Sequence, residues 1–362
     1  MNLDKQNVLF IVRTMGLGGT EKVVLQLCNI LCNKVNKIIV CSAGGCLESE
    51  LNKIGVKHYK IKDVSSKNPF SFVSTYLTLK RIILKEKITI VHSHHRMAAL
   101  FAELVSPKSI IKLANAHNTF YNKKLLTKFA YKNTFVVAVG EMVKNNLIDY
   151  FKIPSSQIYV IHNAVSPFTE EIKIIDSIYK EKQKGNIIIG NVGRLAPQKG
   201  MEFFIKSAEI VVKKHSNARF FIVGEGELKK DLLELIKKLN LEKICYILGY
   251  RSDVQNVMSQ CDFIVLSSLW EGLPLTPIES FSVSKTVVAT DVDGTPEIVK
   301  NMENGLLVEA KNINEMASKI CYLIENESEK NKFENNAKLT YENYFSYNTM
   351  QEKYISFYER LR

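Results

Sequence analysis

Several signatures of other protein classes are missing from this 362-residue sequence. It has no apolar run of about eighteen residues, so no membrane-spanning helix is predicted. Its start, "MNLDKQNVLFIV", lacks the layout of a signal peptide, and we expect a cytosolic protein. Its seven cysteines form no C-x-x-C pair, which argues against zinc and redox sites and favours reduced thiols used as small buried side chains.

The length and the charge distribution further restrict the class of protein. The chain exceeds the size at which a single core stops growing, so we expect two domains. Positive charge is uneven, because residues 1–175 hold 24 Lys and Arg against 11 Asp and Glu, whereas residues 176–362 hold 25 against 26. The first half should therefore meet an anionic partner, such as a nucleic acid, a lipid surface or a phosphorylated substrate.

Apolar segments alternate with helical patterns along most of the chain, as in "KIIVCSA" in the first half and "NIIIGNVG" in the second. Solidly apolar strands separated by helices predict an α/β protein with parallel sheets covered on both faces. We expect a Rossmann-like domain over 1–167, a polar linker over 168–185 and a second Rossmann-like domain over 186–345. The last stretch, 346–362, is predicted to be a helix that packs across the domain junction.

A glycine-rich turn follows the first predicted strand, where Gly16, Gly18 and Gly19 precede a helix. The turn fails as a dinucleotide fingerprint, because Glu21 occupies the third glycine position and the second strand ends without an acidic residue. We therefore expect no nicotinamide cofactor. The turn is either an anion-binding helix start or a tight connection without a ligand.

The loop "GNVGRLAPQKG" places Arg194 and Lys199 five residues apart between a predicted strand and a helix. Two cations on such a loop suit a diphosphate, because arginine can grip two oxygens and lysine acts as a point charge. A solvated loop with two exposed cations is the alternative interpretation.

The stretch "LWEGLPLTPIESF" carries Glu271 and Glu279 on an irregular turn between two apolar runs. Thr276, Pro277 and Glu279 fit a capping box, which predicts a helix that starts there. That pattern leaves Glu271 and the "EGLP" approach unexplained. A helix N-terminus at the strand ends suits a phosphate, and a carboxylate can accept hydrogen bonds from sugar hydroxyls, so we expect a ligand that carries both groups.

These segments, together with "GGTE", "AHNT", "IHNAV", "GEGE" and "DGTPEIV", resemble in order the retaining GT-B glycosyltransferases of family 4, which carry an E-x7-E motif. The resemblance implies two Rossmann-like domains that face each other across a cleft. It also implies a nucleotide-sugar donor, UDP- or GDP-linked, held mainly by the second domain, and transfer with retention of the anomeric configuration.

The resemblance assigns roles to residues of the second domain. Arg194 and Lys199 would bind the donor diphosphate, Glu279 the ribose hydroxyls, and Glu271 the transferred sugar. The turn between the two glutamates would complete the donor site through Gly272, Leu273, Pro274, Leu275 and Thr276.

Three residues of the first domain are assigned in the same way. Gly18 and Gly19 would close on the diphosphate, and His117 would reach the donor sugar. A hydrogen-bonded core histidine is the alternative for His117. The expected catalytic group consists of His117, Arg194, Lys199 and Glu271.

Two groupings look superficially like metal sites. Asp291 and Asp293 form a D-x-D, but two carboxylates without further ligands make a poor cation site, so we expect no metal. The "HSHH" at 92–95 has no nearby carboxylate or cysteine to complete a zinc site, and we interpret it as a strand end on the acceptor side.

A basic segment directly after His117 predicts where the first half meets its partner. "NTFYNKKLLTKFAYKN" at 118–133 places Lys124, Lys128 and Lys132 at helical spacing beside apolar and aromatic residues. Such a segment suits an anionic membrane surface, which would make the protein peripheral at the inner face of the cell membrane. A surface helix with its apolar face in the core is the alternative.

The leading hypothesis is therefore a metal-independent hexosyltransferase, without a cofactor, that moves a sugar to a glycan or lipid-linked acceptor in bacterial capsule or lipopolysaccharide assembly. A nucleotide-sugar epimerase on the same scaffold is the alternative. A nucleic-acid-binding protein is the third, and the sequence contains no recognisable module of that kind.

Overall fold

The computed structural model describes residues 1–16 and 18–361. The chain divides into two compact units, one formed by Met1–Asn163 with the chain from Met350 onward, the other by Ala164–Thr349. The stretch expected to be a linker, 168–185, lies within the second unit, and part of it is helical. Among the described residues, no helix combines the length and the apolarity needed to cross a bilayer.

The first unit contains a seven-stranded sheet in the order β3-β2-β1-β4-β5-β6-β7, with parallel pairing throughout. Its strands are β1 (Asn7–Ile11), β2 (Lys37–Ser42), β3 (Lys57–Lys60), β4 (Ile90–Ser93), β5 (Ile111–Ala116), β6 (Phe135–Ala138) and β7 (Ile158–Val160). Strands β1 and β4 are buried at every residue, as central strands of a parallel sheet between two helical layers should be.

In the part of this unit that the structure describes, the helices between its strands are α1 (Gly19–Leu31), α2 (Glu48–Lys53), α3 (Pro69–Lys85), α4 (Arg96–Val105), α5 (Lys124–Ala130) and α6 (Glu141–Asp149). The strand order reverses between β1 and β4, and the chain leaves these neighbouring strands in opposite directions. The carboxyl ends of strands at such a reversal border a crevice in which α/β proteins bind ligands.

The second unit repeats the plan with six parallel strands in the order β10-β9-β8-β11-β12-β13. They are β8 (Ile187–Val192), β9 (Ala218–Val223), β10 (Cys245–Gly249), β11 (Phe263–Leu266), β12 (Val287–Thr290) and β13 (Gly305–Val308). Here the order reverses between β8 and β11. The loops that follow these two strands carry "GRLAPQKG" and "LWEGLP", so the fold brings together the two segments singled out in the sequence.

The described residues of the second unit and of the C-terminal segment form nine further helices. They are α7 (Asp176–Gln183), α8 (Met201–Lys214), α9 (Lys229–Lys238), α10 (Val254–Ser259), α11 (Leu275–Ser282), α12 (Thr295–Ile298), α13 (Ile313–Glu325), α14 (Glu327–Thr340) and α15 (Tyr347–Arg360). Met350, Tyr354, Phe357 and Leu361, which the spacing places on one face of α15, are all buried. The prediction of two Rossmann-like parallel sheets is confirmed.

Candidate active site

Glu271 lies in the turn between β11 and α11, and its carboxylate is buried. One carboxylate oxygen accepts hydrogen bonds from the Lys199 ammonium at 2.5 Å and from the Ser268 hydroxyl at 2.6 Å. The Glu271 backbone N–H donates to Asp293 Oδ2 at 2.7 Å. The turn therefore holds this side chain in place through an ion pair, a hydroxyl and a second loop.

Lys199 reaches Glu271 because two loops are fastened together. Leu269 donates its N–H to the Gln198 carbonyl at 2.8 Å, and the Ser267 hydroxyl donates to the Lys199 carbonyl at 2.9 Å. Gly200 follows with a left-handed φ of +56°, and a Cβ there would overlap the Ser267 carbonyl oxygen. Glycine is thus required at the point where the lysine loop passes the strand end.

Arg194 is exposed on the same loop, ahead of Lys199. It lines an open depression together with Gln198, Glu227 and Trp270. Gln198 donates to the Trp270 carbonyl at 3.0 Å and lies 3.5 Å from the second carboxylate oxygen of Glu271. The depression therefore has an exposed cation at its rim and a buried, paired carboxylate beside it, a combination suited to a phosphate-bearing ligand with hydroxyl groups.

The helix that follows Glu271 starts differently from the sequence prediction. Helix α11 begins at Leu275, with Pro274 in an extended conformation before it and no side-chain cap. The Thr276 hydroxyl donates to the Val192 carbonyl at 3.3 Å instead of capping the helix. The capping box was therefore wrong, because this hydroxyl is used to join α11 to the end of β8. Glu279 lies half-buried in the second turn of the helix.

Asp293 has a structural role that its D-x-D pattern did not suggest. This residue accepts the Glu271 N–H and has a φ of +43°, and its neighbour Gly294 donates to the Gly272 carbonyl at 3.1 Å. A Cβ on Gly294 would overlap that carbonyl oxygen. Asp291 is exposed. The D-x-D pattern is thus a brace in which only the second carboxylate supports the turn, and the glycine after it was the available signal of close backbone approach.

His117 lies in the first unit, just after β5, and lines a cavity of about 140 Å³. The cavity is also lined by Thr20, Arg96, Thr127 and Tyr131, so the beginnings of α1 and α4 and the region of α5 surround it. Burial lowers the pKa of His117 to about 4, which keeps its ring neutral near pH 7. A neutral imidazole at a cavity wall can exchange hydrogen bonds with sugar hydroxyls.

The last two histidines of "HSHH" line the same cavity. His94 Nδ1 lies 3.2 Å from His117 Nε2, and His92 is hydrogen-bonded to the Tyr358 hydroxyl at 2.7 Å and to Asn115 Oδ1 at 2.8 Å. Burial lowers the pKa of His92 to about 3 and that of His94 well below its usual value. They connect β4 and β5 to the C-terminal helix, a contact that no spacing in the sequence reveals.

Gly18 and Gly19 form the start of α1, at the carboxyl end of β1. Gly18 precedes the helix with an extended backbone, and its carbonyl accepts the Lys22 N–H at 3.1 Å. Glu21 accepts the Thr14 hydroxyl at 2.6 Å and lies so close to Gly18 that a side chain there would force it aside. The structure thus gives Gly18 a packing reason, and the role of Gly18 and Gly19 toward a diphosphate stays a prediction.

Two family models match the chain: "Glycosyltransferase Family 4" over residues 17–167 and "Glycosyl transferases group 1" over residues 174–340. An uncharacterized glycosyltransferase of Methanocaldococcus jannaschii is 30% identical over 279 residues, which cover 74% of each chain. The Escherichia coli UDP-Gal:alpha-D-GlcNAc-diphosphoundecaprenol alpha-1,3-galactosyltransferase is 28% identical over 323 residues, 82% of each chain.

The fold has close structural counterparts. The structure of Anabaena Alr3699/HepE in complex with UDP superposes with a TM-score of 0.85 at 18% identity, covering 98% of this chain and 100% of that one. Together with the two parallel sheets, this likeness defines a GT-B fold. The chain belongs to glycosyltransferase family 4, as the two family matches and the similar glycosyltransferases show.

Proposed function

We propose that this glycosyltransferase moves a sugar from a UDP- or GDP-linked donor to a lipid-linked glycan acceptor in bacterial surface polysaccharide or lipopolysaccharide assembly, with retention of the anomeric configuration. The observation that carries the proposal is the ion pair between half-buried Lys199 and buried Glu271, which lies beside exposed Arg194 and is braced by Asp293. The E. coli relative, named for an acceptor with a diphosphoundecaprenol group, supports the acceptor class, and the Anabaena structure with UDP supports the donor class.

In this proposal the donor diphosphate lies against Arg194 and Lys199. The ammonium of Lys199, held by Glu271 before the donor arrives, neutralises negative charge as it grows on the departing diphosphate, which is where a contact accelerates the chemical step. Glu271 accepts hydrogen bonds from hydroxyls of the transferred sugar, and Glu279 accepts them from the ribose. The turn residues Gly272, Leu273, Pro274, Leu275 and Thr276 bring backbone groups to the same ligand, whereas Gly18, Gly19 and His117 stay proposed further contacts.

The reaction is proposed to occur on one face of the sugar. The departing diphosphate itself draws the proton from the acceptor hydroxyl, the bond from the anomeric carbon to the diphosphate oxygen breaks, and the bond to the acceptor oxygen forms. Arg194 and Lys199 provide the positive charge that this separation needs, so no divalent metal is required for it.

The test is a donor assay in two stages. Incubated without acceptor, UDP-sugars or GDP-sugars should release nucleotide slowly by hydrolysis, and a lipid-diphosphate-linked glycan should accelerate release and yield a product with the donor's anomeric configuration. Activity should persist in EDTA. Conversion of the donor to a second sugar nucleotide would instead identify an epimerase, and loss of turnover in EDTA that manganese restores would overturn metal independence.

A peripheral membrane contact is part of the proposal. Residues 118–133 expose Tyr121, Leu125 and Phe129, with 70%, 84% and 46% of these side chains accessible. The helix of this segment covers only Lys124–Ala130, so Lys132 lies beyond it and the predicted helical row of three lysines is shorter than expected. Exposed aromatic and apolar groups among lysines suit an anionic bilayer at the cytosolic face.

A further inference from the structure

Helix α3 presents an apolar stripe to solvent. Phe70, Val73, Leu77 and Leu84 have exposed fractions of 85%, 54%, 55% and 66%. Their spacing places them on one face, opposite the buried Thr75, Leu79, Ile82 and Ile83 that pack on the sheet. Single exposed apolar side chains are common, but a contiguous row of them along a helix of 17 residues marks an interaction surface.

The charge around this stripe has one sign. The helix contains no Asp or Glu, and Lys80, Arg81 and Lys85 are exposed near its C-terminal end. Glu86, the first acid after it, is buried and is neutralised by Lys37 and Lys57 on neighbouring strands. The stripe is therefore bordered by cations without exposed carboxylates among them.

The stripe continues onto neighbouring helices. Helix α3 packs against α4, and α4 packs against α5, so the three lie side by side on one face of the seven-stranded sheet. Leu104 of α4 and Leu125 and Phe129 of α5 are exposed as well. The acid of this layer, Glu103, is paired with Lys112 at 2.5 Å. We call α3, α4 and α5 together the docking layer.

We propose that the docking layer is the membrane-binding surface, and that α3 lies in the plane of an anionic bilayer with Phe70, Val73, Leu77 and Leu84 among the acyl chains. Basic amphipathic helices bind such interfaces by burying an apolar face while their cations meet the anionic headgroups. This inference extends the contact proposed for residues 118–133 and makes α3 its principal element. The reason for binding a membrane rests on the proposed function, but the binding itself does not, since contact with lipid needs no sugar donor.

The location of the docking layer gives the contact a use. The cavity beside His117 is lined by Arg96, the first residue of α4, and by Thr127 and Tyr131, within and just after α5. A sugar attached to a membrane lipid can therefore enter this cavity from the layer that rests on the bilayer.

The first experiment is co-sedimentation with vesicles that contain phosphatidylglycerol, with neutral phosphatidylcholine vesicles for comparison. The apolar variant carries Phe70→Ser, Leu77→Ser and Leu84→Ser, and its matched control carries Ile172→Ser, Leu233→Ser and Leu339→Ser in the second unit, all at exposed positions. We expect the apolar variant to partition at least about tenfold more weakly at every salt concentration, and the control to bind like wild type. Sedimentation of the apolar variant like wild type would overturn the proposal.

The cations are tested separately with Lys80→Gln, Arg81→Gln and Lys85→Gln. This variant should lose binding mainly at low salt, because screening already weakens the wild-type attraction at high salt. An identical salt dependence in variant and wild type would contradict the role of these cations.

Depth is measured with Leu77→Trp and lipids brominated on their acyl chains. The only native tryptophan, Trp270, lies in the second unit and provides the wild-type baseline. Additional quenching in the variant supports insertion of α3, and quenching equal to wild type contradicts it.

A dimer in analytical ultracentrifugation that the apolar variant dissociates would instead assign the stripe to a second copy of the chain. Vesicle binding without transferase activity would sink the proposed function and leave this inference standing.

Discussion

The ion pair between Lys199 and Glu271 changes what each side chain is expected to do before a donor arrives. Taken from the sequence, Lys199 is a free cation whose removal should leave stability nearly unchanged. In the structure it neutralises a carboxylate that is 7% exposed, so its removal leaves a buried charge without its partner. Stability and donor binding are therefore coupled at this one residue.

We expect Lys199→Ala to weaken the binding of UDP or GDP and also to lower the free energy of unfolding by about 1–3 kcal/mol. Titration calorimetry and urea unfolding measure the two effects. The matched control is Lys206→Ala, which breaks an exposed pair with Glu202 and should cost no more than about 0.5 kcal/mol. Nucleotide affinity equal to wild type in Lys199→Ala would make the diphosphate assignment wrong.

At the residue scale, the sequence identifies candidate site residues better than it identifies the residues that they contact. Glu271 and Lys199 could be selected because a charged group between apolar runs is unusual. Their contact with each other could not be predicted, since it depends on how the loops after β8 and β11 are fastened together. Asp293 was interpreted as a failed metal ligand for a similar reason: it binds a backbone N–H, a group that every residue except proline offers and that no pattern marks.

Among the elements, the turn after β11 shows how a local motif can fail. Thr276 and Glu279 have the spacing of a capping box, yet the helix begins one residue before the threonine. The Val192 carbonyl competes for the hydroxyl, and a bond to a neighbouring strand outweighs a local cap. Helix α3 shows the reverse case, because Asn68 and Pro69 form a cap at its start that hydrophobic periodicity alone does not mark.

Strands also differ in how well the sequence predicts them. The buried central strands β1 and β8 are solidly apolar and could be predicted, whereas β3 is a polar edge strand, "KHYK", that offers no such signal. Edge strands need hydrogen bonds on one side only and little apolar surface, so their sequences resemble loops.

The Gly272–Gly294 contact predicts a specific defect. Gly294→Ala should push the Asp293 loop away from the turn that holds Glu271, lower kcat, and reduce stability by about 1–3 kcal/mol. Gly55→Ala is the control: Gly55 has a positive φ, whereas Gly294 has a φ of −80°, and no atom lies close to the Cβ added at Gly55. It should lose about 1 kcal/mol of stability and keep full donor hydrolysis. Unchanged kcat and KM in Gly294→Ala would show that this brace does not support catalysis.

The ends of β4 and β5 predict acid sensitivity. His92, His94 and His117 stay neutral in the folded protein because burial lowers the pKa of each, to about 3 for His92 and about 4 for His117. Unfolded imidazoles take up protons below about pH 6.5, so the unfolded state binds more protons and stability falls as the pH falls through the range from about 6.5 to 4.

Urea unfolding at about pH 7 and about pH 5 measures this loss, which should reach on the order of 2 kcal/mol per buried imidazole. Hydrogen exchange should locate it in β4 and β5. His94→Asn, which keeps a polar side chain beside His117, should reduce the pH dependence, and His215→Asn in the second unit is the control. An equal pH dependence in His94→Asn and wild type would contradict the prediction.

At the scale of the whole molecule, the sequence predicted two Rossmann-like units and an apolar face on the C-terminal helix. Both predictions were possible because apolar strands and helical spacing are visible in the sequence whatever the order of the strands in the sheets. It did not predict that α15 would meet His92 and Asn115 through Tyr358 and Tyr354. Those contacts join residues more than 230 positions apart, and only the folded chain brings them together.

The uneven charge of the chain leads to a prediction about binding to anionic vesicles. The first half has a net charge of +13, and the lysines after His117 belong to that excess. Each cation near an anionic surface contributes about 1 kcal/mol, so replacing Lys123, Lys124, Lys128 and Lys132 with glutamine should release the protein from anionic vesicles and flatten its salt dependence. Donor hydrolysis should remain intact, because none of these four lysines belongs to the proposed donor site. The matched control replaces Lys230, Lys237, Lys238 and Lys243, exposed lysines of that unit, and should sediment like wild type. If both quadruple variants sedimented alike, the cations beside α5 would have no part in the contact, and the apolar stripe of α3 would have to hold the protein on the bilayer by itself.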